Sequence, residues 1–341
     1  MSDVVTFGEA MIRLSPPYFQ RLEQAATLDV QVGGAELNVA TAVSRLGLSA
    51  AWISRLPDNP LGRKIRNKAR EQGVNTEHIA WAKQGRAGVY FVEFGASPRA
   101  SSVLYDRSGS AISQIQPGEV DWAAALQGAR WFHTSGITPA LSTSAAAVTR
   151  EALQAARKAG GLRVSYDLNY RAKLWTAEQA RQFQEPLMEL VDVLITTEED
   201  TRVVFGIAAA GADERFATVS AEPYKEVARK LVERFGLQAV AITLRENPSV
   251  WRNTWTAIAY AGGQFYEDRK YELEVVDRLG GGDAFTAGFI YGCLTSGFWQ
   301  TAIEYGNASS ALKHTHPGDL GWATLPEVQG LLKGAGLRVA R

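Results

Sequence analysis

The stretch of this sequence best suited to chemistry is a run of three glycines followed by an acid, residues 280–283. Gly280, Gly281 and Gly282 let the backbone approach a ligand closely, and the apolar residues that follow predict a buried helix. N–H groups at the start of such a helix, aided by its dipole, bind anions such as a phosphoryl group. Asp283 is then either a helix cap or a base that removes a proton from an attacking hydroxyl.

A second pair of glycines, Gly33 and Gly34, also precedes a helical pattern. The pair permits close approach of a ligand, and the amide of Asn38 offers donors and acceptors for hydroxyl groups. An ordinary turn and helix start is the alternative interpretation. Neither glycine cluster has the G-x-x-x-x-G-K-[ST] or the G-x-G-x-x-G spacing, so generic P-loop and dinucleotide-binding folds are disfavoured.

The histidines and the cysteine do not predict a zinc site or a reactive thiol. His314 and His316 have neither a third histidine nor a cysteine nearby, so a loop role is favoured over a zinc site. The single cysteine, Cys293, excludes an internal disulfide. It lies in an apolar run and is interpreted as a packed core thiol.

The elements that must position these residues alternate between strands and helices. Residues 143–158 are composed of good helix formers and end at two glycines. This rhythm predicts an α/β fold with a mainly parallel sheet covered by helices. Six β-rich runs are predicted as strands: 4–8, 50–55, 130–135, 163–168, 191–196 and 239–244.

Two segments interrupt that rhythm, at about 14–32 and 87–113. The second contains two short β-rich runs, 89–94 and 102–105, joined through Gly95 and Pro98. The two segments are predicted to form a small β-sheet lid over the open end of the main sheet. No linker or repeat divides the chain, so residues 1–341 are predicted to be a single domain.

Composition narrows the class of partner. Lysine plus arginine and aspartate plus glutamate both number 36, so no basic surplus indicates nucleic acid or an anionic membrane. The first residues lack a signal peptide, and no apolar run approaches the roughly 20 residues that cross a bilayer. A soluble, cytoplasmic protein is expected, with small-molecule partners and assembly as a homo-oligomer.

Two motifs together carry a family resemblance. Residues 33–40, with Gly47 downstream, resemble the first signature of ribokinase-like, or PfkB-type, carbohydrate kinases. Residues 277–288 are similar to the D-T-x-G-A-G-D signature of the same family. The resemblance implies a three-layer α/β sandwich with a β lid, Asp283 as catalytic base, and an anion hole at Gly280, Gly281 and Gly282. It also implies ATP and Mg²⁺, with a monovalent cation as a further candidate cofactor, and phosphorylation of a primary alcohol.

Several positions depart from the family pattern. Arg278 replaces the commoner threonine, and Gly281 replaces alanine. The N-x-x-E element falls on residues 197–200, where Asp200 is expected to act on magnesium through water. Arg245 replaces the glycine of a T-L-G motif. The resemblance places these residues at the nucleotide: Asn169, Arg171, Thr197, Thr243, Arg245, Gly280, Gly282 and Asn307.

Three further segments indicate the substrate. Residues 167–175 look like the D-x-N-Y-R-x-x-L-W stretch of 2-keto-3-deoxygluconate kinases, and residues 105–111 and 315–319 resemble two of their loops. Arg107 is central, because a guanidinium binds a carboxylate through two parallel hydrogen bonds. A solvated surface charge is the alternative for Arg107 or Arg171. The resemblance places these residues at the sugar acid: Gly34, Asn38, Tyr90, Tyr105, Arg107, Arg171, Asp283 and Asp319.

The expected reaction is ATP-dependent phosphorylation of 2-keto-3-deoxygluconate at its terminal hydroxyl. The same reaction on fructose, 5-keto-2-deoxygluconate or a nucleoside is the nearest alternative. A sugar-binding regulator without catalysis is an alternative of another class, and the presence of Gly280, Gly282 and Asp283 argues against it.

Overall fold

Six parallel strands form the centre of the fold, and they are the six that the apolar runs predicted. The computed structural model describes residues 1–197, 199–209 and 220–334. Its strands are β1 (Val4–Phe7), β2 (Met11–Ser15), β3 (Asp29–Gly33), β4 (Ala50–Ile53), β5 (Arg55–Pro57), β6 (Ala80–Ala82), β7 (Val89–Glu93), β8 (Ser102–Asp106), β9 (Trp131–Ser135), β10 (Arg163–Asp167), β11 (Val193–Thr197), β12 (Ala239–Glu246), β13 (Arg252–Ala261), β14 (Gln264–Glu267) and β15 (Tyr271–Glu274).

The central sheet contains nine strands within the described part of the chain. Its path is β14-β13-β12-β11-β10-β9-β1-β4, with β15 paired to β13. All neighbours from β12 to β4 are parallel. β13 is antiparallel to β12, β14 and β15, and these edge strands were not predicted. The mainly parallel sheet of the sequence-based prediction is thus confirmed, with an antiparallel edge.

Helices cover both faces of this sheet. They are α1 (Ala35–Arg45), α2 (Pro60–Glu71), α3 (Trp122–Ala125), α4 (Thr143–Ala159), α5 (Ala177–Leu187), α6 (Asp200–Phe205), α7 (Glu222–Phe235), α8 (Gly281–Ser296), α9 (Trp299–Lys313) and α10 (Leu325–Leu332). The predicted helix 143–158 is α4. No helix among the described residues has the length and apolar character needed to span a bilayer.

Two apolar cores, one on each face, give the fold its three layers. Because successive strand residues point to opposite faces, Val4 belongs to one core and its neighbour Val5 to the other. Val4 packs in the core that includes Leu37 of α1 and Phe285 of α8. Val5 packs in the core that includes Leu153 of α4. α1 and α8 therefore lie on one face of the sheet, and α4 lies on the other.

A separate four-stranded sheet is formed by the two segments that break the rhythm. Its order is β3-β2-β7-β8, with β2 parallel to β7 and the outer pairs antiparallel. β2 begins at Met11, three residues before the predicted segment. Residues 16–28, between β2 and β3, contain one short 3-10 helix, Leu22–Gln24. The small sheet joins the main fold through the residues after β1 and the residues before α1.

Candidate functional site

The glycine run forms a tight turn at the start of α8. Gly280 precedes the helix with φ 84°, and a Cβ there would lie 2.0 Å from the carbonyl oxygen of Asp319. Only glycine fits this left-handed, crowded position. The N–H of Gly281 is already bonded to the carbonyl of Arg278 at 3.2 Å. Gly282 and Asp283, in the first turn of α8, offer backbone N–H groups to an anion.

Asp283 lies in the first turn of α8 with its carboxylate turned toward α1. Its Oδ2 accepts a 2.7 Å hydrogen bond from Nδ2 of Asn38. Oδ1 of Asn38 in turn accepts the N–H of Gly34 at 3.2 Å. The residue in the N-cap position is Gly280, with no side-chain cap bond. Asp283 is therefore not the N-cap residue, and its role as base stays a prediction; Asn38 orients its carboxylate.

A small cavity of about 90 Å³ opens in front of Asp283. The structure brings together here every residue that the resemblance placed at the sugar acid. They are Gly34, Asn38, Tyr90, Tyr105, Arg107, Arg171, Asp283 and Asp319. The rings of Tyr90 and Tyr105 stack with their centroids 5.8 Å apart, so β7 and β8 of the small sheet form an aromatic wall.

A second cavity of about 430 Å³ lies on the other side of the glycine turn. It is lined by seven of the eight residues predicted to contact the nucleotide: Asn169, Arg171, Thr197, Thr243, Arg245, Gly280 and Gly282. Asn307 is not among the lining residues. It is fully buried in α9, where its Nδ2 donates to Asp268 at 3.3 Å, and its adenine role stays a prediction. Arg171 and the turn border both cavities.

Two carboxylates in the second cavity fit a hard cation. Asp167 and Asp200 both line it, and burial raises the pKa of each. The charge of Asp200 further raises the pKa of Asp167. A divalent cation would relieve this unfavourable pairing, and Mg²⁺ is commonly held by one or two carboxylates with water and phosphate. Glu198, within the predicted metal element, lies outside the described residues.

Most of the chain matches one known protein family. Residues 1–323 match the family described as pfkB family carbohydrate kinase. The chain belongs to the pfkB family of carbohydrate kinases. The kinase resemblance inferred from its two glycine motifs is confirmed, as is the ribokinase-like fold.

Individual relatives of this kinase cover its whole length. A 2-dehydro-3-deoxygalactonokinase of Haloferax volcanii is 40% identical, over 100% of this chain and 99% of the relative. A crystal structure of 2-dehydro-3-deoxygluconokinase from Thermotoga maritima is 44% identical with a TM-score of 0.92, covering 98% of this chain and 100% of the other. A 5-dehydro-2-deoxygluconokinase of Bacillus licheniformis is 29% identical, over 97% and 95% of the two chains.

Glu9, a buried acid that lines the first cavity, was not predicted from the sequence. Glu9 is 2% exposed, and its Oε2 accepts Nε of Arg107 at 2.8 Å and also Nη2. Its Oε1 accepts the hydroxyl of Ser110 at 2.6 Å. Arg107 therefore already has an internal counterion. A signal was available, because Glu9 follows β1 at the carboxyl edge of a parallel sheet, where ligands bind.

A second missed feature is a buried ion-pair network behind the cavity. Arg13 of β2 contacts Asp277 through Nη2 and Asp319 through Nη1, both at 2.6 Å. The Asp277 carboxylate also accepts the N–H of Leu279 at 3.0 Å, and Nζ of the buried Lys313 donates to its carbonyl at 3.1 Å. This network, Arg13–Asp277–Asp319, connects the small sheet to the glycine turn.

A third missed residue, Glu36, fixes the start of α1. Its Oε1 accepts both the N–H of Ser135 at 3.0 Å and the hydroxyl of Ser135 at 2.6 Å. Burial raises the pKa of Glu36 to about 7. The contact ties α1 to the end of β9, and this holds Asn38 within reach of Asp283. Glu36 is therefore a positioning residue.

The electrostatics of Asp283 predict the acidic side of the pH profile. Burial raises its pKa to about 6, against the opposing hydrogen bond from Asn38. A base must be deprotonated to act, so kcat/KM should fall about tenfold per pH unit below about 6, the pKa of the free enzyme. Steady-state rates between pH 4.5 and 8 measure this midpoint. The variant Glu36→Gln should show the same midpoint. A midpoint near about 4, the ordinary pKa of aspartate, would contradict the assignment of Asp283 as the base.

Proposed function

We propose that the kinase transfers the γ-phosphoryl group of MgATP to the terminal hydroxyl of 2-keto-3-deoxygluconate, giving the 6-phosphate. The observation that carries the proposal is the whole-length similarity to the Thermotoga maritima 2-dehydro-3-deoxygluconokinase, which is named for the same compound. The gathering of all eight expected sugar-acid residues in one cavity beside Asp283 supports it.

The proposed chemistry divides between the two cavities. Asp283 lies where they meet and takes the proton of the attacking hydroxyl. The N–H groups of Gly282 and Asp283 stabilise the negative charge that gathers on the transferred group. Asp167 and Asp200 would hold magnesium, which when bound neutralises phosphate charge. The N–H groups and carboxylates are fixed before the substrates arrive, so little reorganisation is needed during transfer.

The names of the relatives leave three sugar acids to compare. They are 2-keto-3-deoxygluconate, its galactonate epimer and 5-keto-2-deoxygluconate. Steady-state ADP release with each acid, and with fructose and a nucleoside, tests the choice. We expect the highest kcat/KM for 2-keto-3-deoxygluconate. A higher value for another sugar would replace the substrate and leave the kinase assignment standing.

Arg107 is proposed to recognise the substrate carboxylate with the donors that Glu9 leaves. Arg107→Ala should weaken kcat/KM for the sugar acid about 10–150-fold, since a hydrogen bond to a charged group contributes about 1.5–3 kcal/mol. Arg107→Lys should recover part of the loss, because it keeps a charge beside Glu9 but lacks the planar fork. These rates are measured in parallel with fructose.

Fructose is the matched control for damage to the cavity. Arg107→Ala leaves Glu9 buried without its partner, so some loss of activity on every substrate is expected. The neutral sugar has no carboxylate and should show that general loss alone. Equal losses for acid and neutral sugars would show that Arg107 only supports Glu9.

We also propose that residues 1–341 act as a single domain in which the small sheet is a lid. Tyr90, Tyr105 and Arg107 lie on or directly after its strands and line the substrate cavity. Closure would exclude water from the transferred group. Hydrogen exchange across 87–113 should therefore slow when the sugar acid saturates the enzyme. Unchanged exchange would argue against a lid.

Three further properties of the kinase are proposed. We place the kinase in the cytoplasm, where its donor ATP is held. We propose a homo-oligomer, since Val30 and Leu104 of the small sheet are half exposed, at 50% and 58%. Light scattering tests the assembly. Activity in potassium against tetramethylammonium salts tests the monovalent cation that the family resemblance implied.

A further inference from the structure

Three arginines converge on the nucleotide-side cavity: Arg171, Arg245 and Arg278. The last two stand at positions where the family signatures more commonly have glycine and threonine. The chain thus carries two guanidinium groups beside the anion-binding turn where uncharged residues are usual. Arg278 lines this second cavity and not the cavity at the sugar acid. A ligand bound by Arg278 would therefore lie in the second cavity, which is predicted to hold the nucleotide.

Arg278 has no ion-pair partner in the part of the chain that the structure describes. The adjacent acid, Asp277, is engaged by Arg13 and by the N–H of Gly318 at 3.0 Å. The guanidinium of Arg278 donates through Nη2 to the carbonyl of Val250 at 3.1 Å. Across residues 1–197, 199–209 and 220–334, no carboxylate lies within ion-pair distance of its guanidinium. A neutral carbonyl occupies one of five donors and supplies no counterion.

The electrostatics of Arg278 indicate an anionic ligand. Part of its side chain reaches solvent, yet partial burial and then the charge of Arg245 lower the pKa of its guanidinium, against the opposing charge of Asp277. Like charges that face one space repel, and an anion between them removes that cost. A guanidinium fork matches two phosphate oxygens. Under the proposed function, the anion that would enter this cavity beside the turn is the polyphosphate of a nucleotide.

We propose that Arg278 binds the polyphosphate of the nucleotide and is a binding residue for ATP and ADP alike. This inference rests on the proposed function only in that the second cavity receives the nucleotide. Because Arg278 holds donor and product equally, its loss should weaken both and leave kcat at saturating ATP within a few-fold of the parent.

Calorimetric binding without sugar tests the inference directly. Arg278→Thr restores the residue commoner in the family and should weaken MgADP binding about 10–100-fold, the loss expected for hydrogen bonds to a charged group. The affinity for AMP should fall less than that for MgADP. Adenosine should bind to the variant as tightly as to the parent protein. Arg252→Thr is the matched control, because Arg252 is exposed on β13 and lines neither cavity. Its MgADP affinity should not change.

Three other outcomes would contradict the inference or the proposed function. A dissociation constant for MgADP within twofold of the parent in Arg278→Thr would overturn the inference and leave the kinase assignment intact. Equal weakening of adenosine and MgADP would also overturn it, by assigning Arg278 to the nucleoside. A parent protein that fails to bind MgADP would overturn the proposed function, and the inference with it.

Discussion

Asp283→Asn is expected to lower kcat by about 10²–10⁴-fold, the usual contribution of a general base. Asparagine has nearly the same shape, and its side-chain oxygen still accepts the 2.7 Å hydrogen bond from Asn38. Folding and the affinity for both substrates should therefore change little. Rates are measured by ADP release in a preparation free of host kinase, and binding is measured by calorimetry.

The matched control is Asn38→Ala, which removes the partner that orients the base but keeps the carboxylate. We expect its kcat to fall less than that of Asp283→Asn, because Asp283 still accepts the proton from a less favourable orientation. Turnover of Asp283→Asn within a few-fold of the parent would restrict Asp283 to a structural role at the start of α8.

Arg13→Met is expected to lower the free energy of unfolding by about 3–5 kcal/mol, the cost of breaking a buried ion pair on one side. Methionine fills much of the same space but leaves Asp277 and Asp319 without their shared cation, at 0% and 10% side-chain exposure. The same change should lower kcat/KM, because Asp277 accepts the N–H of Leu279 next to the glycine turn. Urea denaturation at pH 7 measures the change in the free energy of unfolding.

Arg63→Met provides the comparison for this effect. Arg63 and Asp58 form a 2.7 Å ion pair with 46% and 60% side-chain exposure. Solvent screens such a pair, so its loss should cost less than about 1 kcal/mol. If Arg13→Met is no more destabilising than Arg63→Met, the Arg13–Asp277–Asp319 network does not stabilise the link between the small sheet and the turn.

The sequence predicted the parts of the molecule that are local. Residues 280–283 predict a turn before a helix because the glycines are directly followed in the chain by an apolar run. The six parallel strands could be predicted because each is a run of consecutive β-rich residues. Their order, with β1 between β9 and β4, depends on how distant segments pack, and periodicity carries no information about it.

The missed site residues are those whose partners are distant in the chain. Arg13 and Asp319 are 306 residues apart, and Glu9 and Arg107 are 98 apart. Arg107 does line the first cavity, but its contact with Glu9 could not be predicted from residues so far apart in the chain. Glu36 was visible within the first motif, yet its bond to Ser135 requires α1 to lie against the end of β9.

We propose above all that this kinase phosphorylates 2-keto-3-deoxygluconate on its terminal hydroxyl. The most direct test incubates the protein with 2-keto-3-deoxygluconate and MgATP, and identifies the product by phosphorus and carbon nuclear magnetic resonance. We expect one ADP for each sugar acid consumed, with phosphate on C6, and product formation about 10²–10⁴-fold slower with Asp283→Asn. Phosphate on another carbon, or no ADP release above the sugar-free background, would contradict it.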